Sequence, residues 1–394
     1  MLYKICLSQI LIYLFIIPAV RLIWGGVSSE YSYWTGLVFL LAFISGGVSV
    51  FGRISTRRLI NHKIKADGKF IIIIWALSYV VMSVSYGLFN RRIGTHEAAE
   101  LFASIPIYAL LVFRSFEVML PFLLSLFVVQ VFERRWQSSI DKIVVAILIL
   151  AIGFSGAIYS RGQIFYLLAS VIVILQNSID EVIFKRLLLR ATALTSFFVI
   201  GVSIYRWLSF EADEAYGVYF SREFLARLDG LEVISYLTAR EGVSWFGLNP
   251  SAIFSPLISA IPFLPEASEL KATAMTSVKA NILYHEFGSS QGDINSFVLL
   301  DSYYWGGILG LVGAGFVLGY ASRCVDRYIG KTTMRGVAAL LVAAAGNVVF
   351  MEREFISMLI NVVRDWLIVY VFMVFFLRGN SRTLTSLVGN RKGA

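Results

Sequence analysis

Charge is scarce in this chain: 15% of its 394 residues are Asp, Glu, Lys or Arg, against 58% hydrophobic. With a mean hydropathy of +0.76, that balance excludes a soluble globular domain. Cysteine is nearly absent. Cys6 and Cys324 are the 2 that occur, and neither lies in the long polar stretch of the chain, so no disulfide framework is expected. Histidine numbers only 3, and no group of His, Cys and carboxylate has ligand spacing, so the sequence gives no case for a metal. There is no P-loop, no dinucleotide fingerprint and no Gly-x-Ser-x-Gly elbow. No cofactor is expected. Ser/Gly linkers, low-complexity tracts and internal repeats are also missing, so residues 1–394 read as one polytopic domain.

What the chain has is long apolar runs. A spanning helix needs roughly 20 mostly apolar residues. About ten runs qualify by that measure, near 5–24, 33–51, 70–89, 110–132, 143–158, 163–179, 191–208, 297–320, 336–351 and 357–377. The first is retained, because Pro18 and Arg21 stand where a signal-peptide cleavage site would be. The fold class expected is therefore an all-α integral membrane protein of about ten transmembrane helices. Most Lys and Arg fall in every second loop, among them Lys4, Arg57, Arg58, Arg134, Arg135, Lys185, Arg186, Arg323 and Arg327. Positive loops stay inside. Both termini are then cytoplasmic.

One polar stretch, 209–295, interrupts the apolar pattern and faces outward in this topology. It is net acidic, although the whole chain carries +9. Ser221 is positioned to cap a helix whose Phe224, Leu225, Leu228, Leu231, Ile234 and Leu237 share one face. Such a helix lies along the membrane surface or covers a cavity. Pro256, Pro262 and Pro265 then keep the apolar run 253–264 from spanning.

Basic residues on the outer side, or in the outer halves of spans, are all arginine except Lys271 and Lys279. They include Arg91, Arg92, Arg114, Arg161, Arg206, Arg222, Arg227, Arg240, Arg353 and Arg364. Arginine's planar fork binds phosphate bidentately and loses water more readily than an ammonium. An anionic ligand at the outer boundary fits this bias, and headgroup snorkelling is the plain alternative for any one of them. Inside apparent spans, Arg114 with Glu117 and Arg364 with Asp365 face a cavity or one another. Tyr303, Tyr304 and Trp305 suit sugar stacking, or an interfacial aromatic belt.

Several segments together resemble one family. They are Gly288–Phe297 (GSSQGDINSF), Leu300–Gly310 (LDSYYWGGILG) running to Gly319-Tyr320, the turn Tyr159–Gly162 (YSRG), Ser221–Gly230 (SREFLARLDG) and Glu352–Phe355 (EREF). With the span count and loop position, they resemble the Wzy-type O-antigen and oligosaccharide repeat-unit polymerases. These are membrane glycosyltransferases similar to the lipid-donor GT-C class. The resemblance implies a bacterial inner-membrane enzyme with its active site on the periplasmic side. It implies transfer of an undecaprenyl-pyrophosphate-linked glycan to the non-reducing end of another lipid-linked repeat unit. The implied partners are that lipid-linked oligosaccharide, membrane lipid, a flippase and a chain-length regulator protein, with no nucleic acid.

That chemistry asks for cations at the leaving pyrophosphate and a general base at the acceptor hydroxyl. Arg91, Arg92, Arg161, Arg206, Arg227 and Arg353 are the candidates for the first role. His285, the histidine of the outer loop, its neighbour Glu286, and then Asp293 and Asp301 near the membrane re-entry share the second. An O-antigen ligase shares the topology, the outer loop and the arginines, and the sequence separates it from a polymerase only weakly. A flippase or transporter of the same lipid-linked sugar predicts repeats and broken midplane helices instead.

Overall fold

The computed structural model describes residues 1–23, 30–50, 63–64, 66–86, 105–132, 139–154, 161–176, 181–210, 247–249, 298–329, 334–349 and 355–378. It also describes residues 179, 231, 254, 257, 332 and 351. Among these the protein is helical, apart from one two-residue antiparallel pairing of β1 (Lys63–Ile64) with β2 (Leu377–Arg378).

The helices are α1 (Leu2–Leu11), α2 (Ile17–Ile23), α3 (Glu30–Val48), α4 (Ala66–Ser85), α5 (Ile107–Phe132) and α6 (Ser139–Phe154). They continue with α7 (Arg161–Leu175), α8 (Glu181–Phe210), α9 (Val298–Tyr328), α10 (Arg335–Val348) and α11 (Phe355–Phe376). Where they lie among the described residues, the apolar runs read from the sequence fall on these helices, the first across both α1 and α2. Among the described residues, five stretches are long and apolar enough to cross a membrane: Leu2–Val20, Gly68–Ser85, Leu111–Val129, Asp301–Tyr328 and Phe355–Phe376. Tyr33–Val48 and Arg335–Val348 are shorter apolar helices. The protein is a helical membrane protein.

Local chemistry explains the irregularities. A π-turn, Ile12–Ile16, joins α1 to α2. Pro18 follows it, and a proline has no N–H to give and crowds the carbonyl four residues back, so the helix widens there. Pro121 lies inside α5, where the Ser125 hydroxyl donates to the Pro121 carbonyl at 2.7 Å.

The most extensive helix pairing is α3 on α9, and its cause is glycine. A Cβ on Gly319 would strike the Phe43 carbonyl, and one on Gly46 the Phe316 carbonyl. A Cβ on Gly315 would stand 2.8 Å from the Phe39 carbonyl. The helices run parallel and touch backbone to backbone, as small-residue pairs do in membranes. Around them α1 packs on α9, α10 on α11, α4 on α6 and α5 on α7. Tyr79, Phe113 and Phe116 stack in the core between α4 and α5.

Two ends of the bundle are fixed by polar contacts. At the first, the Asp326 carboxylate accepts the N–H groups of Leu2 and Tyr3 at 2.6 and 2.9 Å and pairs with the Met1 ammonium at 2.5 Å. Burial holds that ammonium below its ordinary pKa of 8.0, while the Asp326 charge opposes the shift. Gln176 donates to Asp326 from the end of α7, and Arg327 donates to the Val50 carbonyl beyond α3. Lys69 pairs with Asp141 at 2.5 Å, joining the starts of α4 and α6. The starts of α3 and α9 and the far end of α2 therefore lie at the second, opposite end.

Candidate functional site

Toward the second end lie two described residues of the stretch 209–295, Leu231 and Asn249. Leu231 is helical and fully buried. Its Cδ2 would stand 3.3 Å from a Cβ on Gly36 of α3, beside Leu14 of the π-turn. Leu231 belongs to the apolar face expected for the loop helix, and its own side chain packs on the bundle; Phe224, Leu225, Leu228, Ile234 and Leu237 lie outside the described residues. Farther along, the Asn249 N–H donates to the Trp305 carbonyl at 2.9 Å. The polar stretch is thus fastened to the start of α9 at one point and to α3 at another.

The start of α9 is the centre of this region. Its helix is broken at Gly307, whose φ of 54° and ψ of −137° are open only to glycine. The chain folds back so sharply there that a Cβ on Gly310 would meet the Ser302 carbonyl. The sequence reading treated this run as one unbroken span, and the break corrects it. Hydropathy carries no information on backbone handedness, although the Gly306-Gly307 pair was visible.

Residues 298–306 hold the start of α11. Asp301, 1% exposed, accepts the Phe355 N–H on Oδ2 at 2.7 Å. A carboxylate at a helix N-terminus satisfies an orphan donor and matches the helix dipole. Val298 donates its N–H to the Met351 carbonyl at 2.8 Å. The Trp305 ring stacks on Phe355, centroids 6.3 Å apart. Asp301 was read with Asp293 as a further candidate base near the membrane re-entry; in the structure its Oδ2 accepts the N–H that opens α11. Tyr303 is fully buried, so it has no face open for a sugar.

The expected site residues are placed as follows. The backbone of Arg161 opens α7, at the helix end opposite Gln176 and hence away from Asp326. Arg206 lies in the last turns of α8 (Glu181–Phe210), which is joined to α7 by a short connection and packs on it. Neighbours joined this way run antiparallel, so both positions are at the second end. Arg353 falls between Met351 and Phe355, the two residues tied to the start of α9. Arg353 itself, Arg91, Arg92, Arg227, His285, Glu286 and Asp293 lie outside the described residues. Among the described residues, no three His, Cys, Asp or Glu side chains come together.

The two intramembrane ion pairs read from the sequence are present. Arg114 and Glu117 pair at 3.0 Å on α5. Arg364 holds Asp365 on α11 at 2.7 Å. The sequence reading missed the third member of that second group: Asn347 of α10, 2% exposed, donates to Asp365 Oδ2 at 2.7 Å. A single Asn in an Ala- and Val-rich run is the signal that would have found it.

Comparison with family models, curated proteins and solved structures finds nothing that matches this chain.

Proposed function

We propose that the protein is a lipid-pyrophosphate-dependent glycosyltransferase of the bacterial inner membrane. In this reading it has about ten spans in a GT-C-like arrangement. It polymerises repeat units of O-antigen or a similar surface polysaccharide. Both termini are cytoplasmic, and the end that receives the stretch 209–295 is periplasmic.

One observation carries the reading. The polar stretch is fastened by Leu231 and Asn249 to the same end of the bundle that holds the backbones of Arg161 and Arg206 and the residues flanking Arg353. Nucleotide sugars are absent outside the cytoplasm, so a donor there is lipid-borne, and its leaving pyrophosphate needs fixed cations. In the reaction the bond from the donor sugar's anomeric carbon to the pyrophosphate oxygen breaks. A bond to the acceptor hydroxyl oxygen forms. His285, Glu286 or Asp293 takes the hydroxyl proton, and undecaprenyl pyrophosphate leaves with its charge held by arginine.

A second reading, a flippase for the same lipid, gains from the break in α9, because transporters use discontinuous helices. The absence of repeats and the fastened outer stretch favour the enzyme. The test is substitution. Arg161→Ala, Arg227→Ala and Arg353→Ala each abolish elongation of an undecaprenyl-pyrophosphate-linked repeat unit while the protein remains in the membrane. Normal product length in all three, or transbilayer movement of that lipid without elongation, overturns the proposal.

A further inference from the structure

We propose that Leu248, Phe254 and Leu257 form a lipid-contact surface, by which the outer stretch is seated among the acyl chains of the leaflet at the second end. The sequence around them is suited to this. No Asp, Glu, Lys or Arg occurs from Gly242 to Pro265, although the rest of the stretch 209–295 is rich in charge. Such a run is long enough to cross a bilayer, but Pro250, Pro256, Pro262 and Pro265 deny it one continuous helix. An uncharged run that cannot span has its favourable place within one leaflet. This seating requires only that the protein is a helical membrane protein, whatever reaction it performs.

The anchors of the stretch fix its level. Asn249, next to Leu248, donates its N–H to the Trp305 carbonyl, and the Trp305 ring stacks on Phe355, which opens the span Phe355–Phe376. Leu231 reaches deeper. It meets Gly36 of the apolar helix Tyr33–Val48, beside Leu14. Leu14 lies about 9 Å of helix inside the Val20 end of the span Leu2–Val20. The stretch therefore touches the bundle at the level of the apolar layer rather than above it. Residues 247–249 are not helical. Irregular backbone is tolerated at that depth where protein satisfies its polar groups, as Trp305 does for the Asn249 N–H. The side chains left outward are apolar: Leu248 is 66% exposed, Phe254 56% and Leu257 41%. Phe254 and Leu257 are both helical and three residues apart, so they share a face. Large apolar groups held outward at the level of the spans are removed from water by acyl chains.

The test uses the full-length protein in nanodiscs, in a Cys6→Ala, Cys324→Ala background that removes both free thiols. Leu248→Cys, Phe254→Cys and Leu257→Cys are each labelled with an environment-sensitive fluorophore. Val363→Cys, at an exposed position of the span Phe355–Phe376, is the lipid-facing reference. For all three labels, a nitroxide on the lipid acyl chain quenches several-fold more than an aqueous nickel chelate, as it does at Val363. Stronger quenching by the aqueous reagent overturns the inference. So does protection from both quenchers, which would place protein over the patch. A second measurement leaves the sequence unaltered. A phospholipid with a diazirine in its acyl chain is photolysed in nanodiscs of the unsubstituted protein, and the tryptic peptide Glu241–Lys271 is sequenced by mass spectrometry. Adducts are expected at Leu248, Phe254 and Leu257. A peptide free of adducts, beside labelled peptides from Phe355–Phe376, overturns the inference whatever the elongation assay gives.

Discussion

Asp326 accepts the backbone N–H of Leu2 at 2.6 Å, although the two stand 324 residues apart in the chain. Asp301 does the same for Phe355 at the other end of α9. One helix thus carries, near each terminus, an aspartate that caps a different helix. Losing a capping carboxylate costs about 0.5–2 kcal/mol. Asp326→Ala also removes the carboxylate that pairs with the terminal ammonium and leaves Gln176 only its longer bond to the backbone carbonyl of residue 326. It is therefore expected to lower the thermal unfolding midpoint in detergent by several degrees, more than Gln176→Ala does. Equal midpoints would show that the first end is held by packing alone.

Glycine contacts between α3 and α9 make a second prediction. Gly319→Ala and Gly46→Ala each force a Cβ into a backbone carbonyl that has no flexible end to move aside. Overpacking of this kind costs about 1–3 kcal/mol. Gly313→Ala and Gly346→Ala meet nothing within 4 Å and gain helix propensity of up to about 1 kcal/mol. Thermal unfolding in one detergent separates the pairs, and destabilisation by all four would deny the close approach.

Gly307 and Gly306 form a matched control. At Gly307 the backbone is closed to side chains, and a non-glycine residue costs about 1–3 kcal/mol. At Gly306 a Cβ meets open space. Gly307→Ala is expected to destabilise strongly and Gly306→Ala little. If they behave alike, α9 is continuous and the return of 298–306 is wrong.

The group Asn347–Asp365–Arg364 ties α10 to α11 within the apolar bundle. Asn347→Ala removes a donor from the Asp365 carboxylate, 7% exposed, at a cost of about 1–3 kcal/mol. Asn347→Leu restores volume but not the bond, so stability recovered by leucine would assign the loss to packing. Continued instability assigns it to the hydrogen bond.

Element positions were legible because burial in lipid writes itself as uninterrupted apolar runs. Run 70–89 became α4, and 357–377 became α11. Helix ends drifted where polar residues continue a helix beyond its apolar part: α8 begins at Glu181, where Glu181 and Lys185 pair at 2.8 Å, ahead of the run expected from 191. The docking face of the outer stretch was legible at Leu231, through its helical spacing with Leu228 and Ile234. The break at Gly307 and the capping by Asp301 were not, because both depend on which residues meet in space. Asp301 looked like a base for the same chemical reason that it makes a cap: a carboxylate is an acceptor in either role.

The most direct test of the central claim is a reaction with defined components. Purified protein is incubated with a synthetic undecaprenyl-pyrophosphate-linked repeat unit, with and without chelator, and products are resolved by size. The account predicts a ladder of longer lipid-linked glycans, released undecaprenyl pyrophosphate, and no effect of the chelator. A cognate repeat unit that stays at its starting length in both reactions would contradict it.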